Sequence, residues 1–212
     1  MNSFLMMRRS EMGQDQLPYD SQIEYLESSG TQWIDTGITV GLSDSVVINM
    51  IFEFSQLNTT DNNIICGSYQ SQDSKRLFTF VDRDGYWKTT YGDVISSTAT
   101  CSSGVEYDIQ IEFRNGYQNL IINGSSIVSD TLTKTSISNI SQAIFGAKQS
   151  NNTIISPSKI KLKEYNISIN GNLVLDFISV RINTIGYMYD NVSGQLFGNS
   201  GTGNFICGPD IN

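Results

Sequence analysis

The feature of this 212-residue chain that most limits its fold is a set of alternating apolar and polar runs joined by Asn-Gly dipeptides. In the clearest run, residues 106–114, the apolar side chains of Tyr107, Ile109, Ile111 and Phe113 alternate with polar ones. Such a period of two predicts a strand with one face on a core and the other in water. Asn-Gly is the strongest short signal for a tight hairpin turn. The dipeptide occurs at residues 115–116, 123–124 and 170–171.

Other runs of the same kind predict further strands at residues 45–55, 64–69, 76–81, 86–91, 117–122, 159–169 and 173–181. Between Leu162 and Tyr165 the apolar alternation moves by one residue, which predicts a β-bulge near Lys163-Glu164. The Ser/Thr-rich residues 93–104 are expected to form a loop, and no segment has a helical period. About a dozen strands joined by tight turns predict one all-β domain built as a two-sheet antiparallel sandwich.

Two stretches near the ends of the chain carry a resemblance to a known family. Residues 25–38 read YLESSGTQWIDTGI, and residues 186–210 read GYMYDNVSGQLFGNSGTGNFICGPD. They resemble the opening and closing strands of the concanavalin A-like (laminin-G-like) jelly-roll domains of gut Bacteroidetes surface proteins and of virion proteins of their phages. Departures from the family pattern include Leu26, Ser29 and Trp33, an inserted Tyr187 and a non-aromatic Leu196. The resemblance implies a jelly-roll sandwich whose first and last strands lie side by side, and it predicts function only weakly.

The chain divides into a short arm and a large domain. Residues 1–20 hold four of the six methionines and no strand pattern, whereas residues 21–212 carry the strands of the jelly-roll domain. The arm is either a disordered leader or a docking segment for a partner protein. In the docking interpretation apolar side chains are buried on the partner and an arginine pair meets acidic groups. These residues are Phe4, Leu5, Met6, Met7, Arg8 and Arg9.

Composition excludes several classes of function. The chain has no histidine, the commonest general base and zinc ligand, and a net charge of −8, which disfavours nucleic-acid binding. Its three cysteines, Cys66, Cys101 and Cys207, are far apart and are expected to be reduced thiols. We find neither a membrane-spanning apolar run nor the pattern of a signal peptide in the sequence.

Catalytic and metal sites have weak signals. A glycosidase needs two carboxylates about 5 to 9 Å apart, and the nearest pattern, Glu106, Asp108 and Glu112, lies on the polar face of a predicted strand. Without histidine, no serine or cysteine can form the usual nucleophile pair. We therefore expect no enzyme activity and no cofactor. Calcium stays a weak alternative at Asp82 and Asp84, which a hairpin turn explains equally well.

Glycan binding is the stronger candidate for a site. Sugar sites combine aromatic faces with polar neighbours, and Tyr86, Trp87 and Tyr91 lie close together in sequence. Alternation along a strand places Tyr86 and Trp87 on opposite faces, so at least one of the two is expected in the core.

Three hypotheses of function follow. The first is a non-enzymatic virion protein, such as a head fibre, capsid decoration or tail-associated subunit. It would be held to other virion proteins by the arm, assembled in the host cytoplasm as a homo-oligomer, and able to bind a cell-surface glycan. The alternative is a carbohydrate-binding module of a gut bacterial surface protein. The third is a degenerate glycoside hydrolase, which the lack of paired carboxylates makes the weakest.

Overall fold

A computed structural model describes residues 17–70, 75–131 and 136–211, and all their regular structure is β. The strands, in chain order, are β1 (Ser21–Gln22), β2 (Leu26–Glu27), β3 (Ile34–Asp35), β4 (Val46–Gln56), β5 (Asn63–Gln70), β6 (Lys75–Val81), β7 (Tyr86–Tyr91), β8 (Asp93–Thr100), β9 (Glu106–Arg114), β10 (Tyr117–Ile122), β11 (Ser125–Asp130), β12 (Ala143–Ile144), β13 (Ala147–Gln149), β14 (Ile154–Ile155), β15 (Lys159–Ile169), β16 (Asn172–Ile182), β17 (Ile185–Asp190), β18 (Gln195–Phe197) and β19 (Ile206–Cys207).

These strands form two sheets. The large sheet has the order β11-β10-β9-β4-β15-β16-β17-β18, with β1 paired to β16 and β2 paired to both β15 and β19. The small sheet has the order β14-β13-β5-β6-β7-β8, and β12 joins β3 to β5. Within the described ranges, the pair of β13 with β5 is parallel and the other strand pairs are antiparallel. The predicted all-β two-sheet sandwich is confirmed.

The core lies between the sheets and follows the predicted alternation. On β4 the buried side chains are Val46, Ile48, Met50, Phe52 and Phe54, with partly exposed residues between them. On β9 the four apolar residues that the sequence predicted to face inward are also buried. One face of each long strand is therefore committed to the core, and the other face is free to carry polar groups.

Turns and the bulge also match the sequence, whereas one loop does not. The turns after β10 and β15 have left-handed backbone at Asn123, Gly124, Asn170 and Gly171, as two-residue hairpins require. The pairing of β15 with β4 shifts register between Leu162 and Glu164, where the bulge was predicted.

The predicted loop at residues 93–104 is wrong over much of its length, because residues 93–100 form β8 at the edge of the small sheet. A run rich in serine and threonine suits an edge strand with one wet side, since threonine is a good strand former.

The two ends of the domain meet in the large sheet. Strand β2 pairs with β19, and an isolated bridge links Ile23 to Asp210. This confirms the side-by-side placement that the resemblance implied. Of the residues assigned to the arm, Asp20 donates its backbone N–H to the Arg181 carbonyl at 2.9 Å. The predicted docking residues, Phe4 to Arg9, lie outside the described residues.

The cysteines are free thiols, with Cys66 and Cys101 buried. Burial raises the pKa of each of these two thiols to about 12, so both are uncharged at neutral pH. The residues that the structure describes form no helix that could span a bilayer.

Gly67 on β5 leaves no room for a side chain and gives a test of packing in the small sheet. A Cβ atom there would lie 2.2 Å from the Leu77 carbonyl oxygen and from the Phe78 Cβ. We expect Gly67→Ala to lower the free energy of unfolding by more than about 3 kcal/mol, because backbone atoms must move. Urea unfolding followed by circular dichroism measures this loss.

Gly124→Ala is the matched control, because Gly124 also has positive φ but nothing lies within 4 Å of its would-be Cβ. Its cost should be limited to the left-handed backbone, about 1–2 kcal/mol. Equal losses in the two variants would contradict the packing argument.

Candidate functional site

The aromatic residues that the sequence proposed as a glycan site do not form one surface. Tyr86 is 40% exposed, whereas Trp87 and Tyr91 are only 1% and 2% exposed. Trp87 packs edge-on against Tyr107 with ring centroids 5.1 Å apart, and Tyr91 stacks on Phe113 at 5.8 Å. Because β7 has a period of two, Trp87 and Tyr91 share its inward face. Their rings are core packing and are not available to a sugar.

The acidic pair proposed for calcium is engaged in a hairpin turn. The Asp82 carboxylate accepts hydrogen bonds from the backbone N–H groups of Asp84 and Tyr86 at 3.0 and 2.9 Å. Its other oxygen lies 2.6 Å from the Lys88 ammonium. Burial raises the pKa of Asp82, but Lys88 and the turn outweigh it and hold that pKa below its usual value. Among the described residues, no group of three or more Cys, Asp or Glu side chains could hold a metal ion.

A row of polar side chains crosses the outer face of the large sheet. Asn49 on β4 is directly paired with Gln110 on β9 and with Asn166 on β15, and Asn166 is paired with Asp176 on β16. All four are half-buried and lie between buried core residues along their strands. Asn49 Nδ2 donates to Asn166 Oδ1 at 2.9 Å. We call Gln110, Asn49, Asn166 and Asp176 the amide row.

A shallow groove runs beside the amide row. On the same face, the next set of residues that are directly paired across neighbouring strands forms a second line, which we call the register line. It consists of Asp108, Ile51, Glu164, Ile178 and Tyr189, on β9, β4, β15, β16 and β17. The groove between the two lines has a volume of about 250 Å³. We call it the sheet groove; it is lined by Asn49, Met50, Ile51, Asp108, Glu164 and Asn166.

Tyrosine rings stand at the β17 end of this face. Tyr187 and Tyr189 are half-buried and alternate with the inward Met188. Tyr19 packs edge-on against Tyr189, with ring centroids 5.2 Å apart. Burial and the neighbouring Tyr189 raise the pKa of Tyr19, so its hydroxyl stays neutral at physiological pH. The outer face thus combines planar amides with partly exposed aromatic rings.

Asp190 holds the turn beside these rings. Its carboxylate accepts backbone N–H groups of Asp176 at 2.8 Å, Val192 at 3.1 Å and Ser193 at 3.0 Å. The next residue, Asn191, donates its side-chain amide to the Asp176 carboxylate at 3.0 Å. Asp190 therefore positions both the end of the amide row and Tyr189.

A second, larger cavity lies where loops meet at one end of the sandwich. It has a volume of about 420 Å³, within the range of small-ligand sites. We call it the loop cleft; it is lined by Ser29, Gly30, Gln56, Leu57, Asn58, Thr59, Asp61, Asn63, Ser156, Pro157 and Lys159. It shares no residue with the sheet groove. Neither surface was predicted from the sequence, because each joins residues from distant parts of the chain.

Comparisons with known proteins find similarity in structure alone. No family model matches the sequence, and no curated protein matches it. A protein from Bacteroides ovatus, described as a candidate carbohydrate-binding protein, is similar with a TM-score of 0.65 and 12% identity. The match covers 90% of this chain and 61% of that protein.

Two other solved structures share the sandwich. A heptameric SAP-like pentraxin from Limulus polyphemus has a TM-score of 0.55 and 16% identity, with 91% of this chain and 96% of the pentraxin covered. The CBM40 domain of a Ruminococcus gnavus IT-sialidase, bound to α2,3-sialyllactose, has a TM-score of 0.52 and 14% identity. That match covers 73% of this chain and 94% of the domain. At these identities the comparisons establish the jelly-roll, concanavalin-like fold, and they assign neither a ligand nor a function to this chain.

The role of Asp190 gives a prediction about pH. Burial raises the pKa of this carboxyl, but the Ser193 side chain and three backbone N–H groups outweigh burial and lower it. A lowered folded-state pKa adds stability that is complete above the ordinary Asp pKa of about 3.9 and is lost as the pH falls through the folded-state value. We expect Asp190→Asn to unfold about 1–3 kcal/mol more easily at neutral pH. The difference from the wild type should shrink below about pH 4.

Urea unfolding at neutral and at acid pH measures that difference. Asp108→Asn is the control, because Asp108 is exposed on the same sheet and should show little change at either pH. A difference for Asp190→Asn that stays constant with pH would contradict the charged hydrogen-bonding role.

Proposed function

We propose that the protein is a carbohydrate-binding protein that holds a linear glycan in the sheet groove. The observation that carries the proposal is the amide row, four in-register polar side chains on a half-exposed sheet face. Side-chain amides offer both a donor and an acceptor, which suits the hydroxyl groups of sugars. Adjacent strands lie about 4.8 Å apart, so the row extends roughly 14 Å across three strand spacings. That length accommodates several sugar units side by side along the row.

The tyrosines supply the apolar part of such a site. Tyr189 belongs to the register line that borders the sheet groove, two strands beyond Glu164. An aromatic ring presents an apolar face together with a hydroxyl that can hydrogen-bond. A glycan lying along the amide row would meet Tyr189 at its β17 end. The edge-on contact with Tyr19 holds the Tyr189 ring and reduces the entropy lost on binding.

The shared fold supports this proposal at a coarse level. The Bacteroides ovatus protein is described as a candidate carbohydrate-binding protein, and the Ruminococcus gnavus domain is bound to sialyllactose. Both have the same sandwich architecture with low sequence identity. The similarity raises the expectation of carbohydrate binding, while the ligand itself must be argued from the groove of this chain.

Binding without hydrolysis fits the carboxylates of the groove. Asp108 and Glu164 are on strands on either side of β4, so their backbones are roughly 10 Å apart. A general acid needs a shielded carboxyl group, whereas both of these side chains are exposed. We propose that Asp108 and Glu164 accept hydrogen bonds from sugar hydroxyls and that the protein is not an enzyme.

The virion role stays a prediction from the family resemblance. Its docking residues in the arm lie outside the described residues. A glycan-binding domain agrees with the alternative of a bacterial surface module, and it also agrees with adhesion by a virion protein.

The amide row provides the direct test of glycan binding. We expect the double variant Asn49→Ala/Asn166→Ala to weaken binding of a linear hexasaccharide by about tenfold or more, since roughly two net hydrogen bonds are lost. Removing both partners avoids leaving one amide unpaired. Isothermal titration with xylohexaose, cellohexaose and mannohexaose measures the loss, after an initial glycan array has ranked them.

Tyr189→Ala should also weaken binding of the same hexasaccharide, by about threefold to tenfold, because a stacking ring is removed. Tyr86→Ala is the matched control, since Tyr86 is exposed on the small sheet. Wild-type affinity in both the double variant and Tyr189→Ala would contradict the sheet groove as the site. Absence of binding to every array glycan at about 1 mM would contradict carbohydrate binding itself.

A further inference from the structure

Lys159 lines the loop cleft and is in no ion pair with the carboxylates that the structure describes. Among the described residues, the ion pairs engage Lys88, Lys148, Lys161 and Lys163 with aspartate or glutamate, and Lys159 is in none of them. Its ammonium donates to the neutral Gln56 Oε1 at 2.8 Å. Among the described residues, the exposed Lys159 side chain is therefore in no ion pair, and it lines a cavity of about 420 Å³.

The position of Lys159 is set by the fold. Lys159 at the start of β15 is paired across the strands with Gln56 at the end of β4. Its aliphatic chain lies along Gly30, where a Cβ atom would be 3.4 Å from both Lys159 Cγ and Cε. The Gln56 hydrogen bond and the Gly30 backbone thus place the exposed Lys159 ammonium at the loop cleft.

Two amides of the loop cleft are oriented as donors. Gln56 Oε1 already accepts from Lys159. Asn58 Oδ1 accepts from both the backbone N–H and the hydroxyl of Thr60, at 2.9 and 2.8 Å. Asn58 Oδ1 thus has both of its lone pairs engaged and Gln56 Oε1 has one of its two engaged, and the NH₂ groups of the two side chains are the donors that they offer. The lining thus offers an ammonium and two amide donors.

One acidic side chain lines the same cavity. Asp61 accepts from the Ser156 hydroxyl at 3.1 Å through Oδ2, and from the Asn62 backbone N–H at 2.7 Å through Oδ1. It also lines a neighbouring cavity that contains Arg83 and Lys88. Asp61 would repel an anion and attract a cation, so its removal gives a test of the sign of the ligand's charge.

We propose that the loop cleft is a second binding site, which takes the carboxylate of a sugar acid. The Lys159 ammonium and the Gln56 and Asn58 amides donate to the two carboxylate oxygens, which is the strong, charge-assisted form of hydrogen bond. Leu57 and Pro157 line the same cavity and offer apolar contact to the sugar ring. Through this site the protein distinguishes acidic from neutral glycans, independently of the sheet groove.

The experiment compares trigalacturonate with its methyl ester by isothermal titration on the full-length protein. The ester keeps the sugar skeleton and removes the charge, so we expect it to bind at least about tenfold more weakly. Lys159→Met should weaken trigalacturonate binding by about tenfold or more. Asp61→Asn should strengthen it by about threefold, because a like charge is removed. Added salt should weaken it.

Three controls test whether trigalacturonate binds in the loop cleft through its carboxylate. Lys75→Met makes the same charge change outside the loop cleft and should keep wild-type affinity for trigalacturonate. Tyr189→Ala should also keep wild-type affinity for trigalacturonate, while its affinity for the hexasaccharide is lowered. Failure of one proposal therefore does not imply failure of the other. Monomeric galacturonate tests whether the carboxylate and one ring suffice, and we expect it to compete with the trimer.

Several outcomes would overturn the proposal. They are equal binding of acid and ester, no binding of trigalacturonate at about 1 mM, unchanged affinity in Lys159→Met, or weaker binding in Asp61→Asn. Circular dichroism on each variant excludes loss of folding as the cause. Loss of trigalacturonate affinity in Tyr189→Ala would place the acid in the sheet groove and overturn the assignment to the loop cleft.

Discussion

The sheet groove and the loop cleft both depend on one interaction, the pairing of β4 with β15 at the centre of the large sheet. Along these strands one face contributes Ile48, Phe52 and other core residues, and the opposite face contributes polar groups. The middle of the pair joins Asn49 to Asn166 in the sheet groove, and its end joins Gln56 to Lys159 in the loop cleft. The bulge between Leu162 and Glu164 allows both halves of β15 to keep their polar residues outward.

Local features of the fold could be predicted from the sequence. A period of two, Asn-Gly turns and a shift of one residue gave most strands, the hairpins and the bulge, because each is encoded by neighbouring residues. Within the predicted loop 93–104, residues 93–100 were misassigned because their serine and threonine content suggested a loop, and a position at the edge of a sheet is not encoded by neighbouring residues. The buried Trp87 and Tyr91 show that position along the strand decides exposure more than residue type does.

The candidate sites could not be predicted in the same way. The amide row brings together Asn49, Gln110 and Asn166, whose strands are separated in the chain by strands of the small sheet. Asp176 lies opposite Asn166 in the hairpin of β15 and β16. The loop cleft likewise joins Ser29, Asn58 and Lys159. Register between distant strands depends on the whole sandwich, and a single sequence contains no direct record of it. The fold itself is shared with proteins of different description, so these side chains carry the functional argument.

The meeting of the chain ends in the large sheet has a mechanical consequence. Because β2 and β19 are antiparallel neighbours, the bridge of Ile23 to Asp210 lies at the end from which the chain enters and leaves. A force pulling these two ends apart would first load the pairing of β1 with β16 and the hydrogen bond from the Ile211 N–H to the Gln22 carbonyl. The Ile23–Asp210 bridge would be loaded next. The Leu26–Cys207 and Glu27–Ile206 pairs would follow. The hydrogen bonds between β2 and β19 would therefore break in sequence under tension.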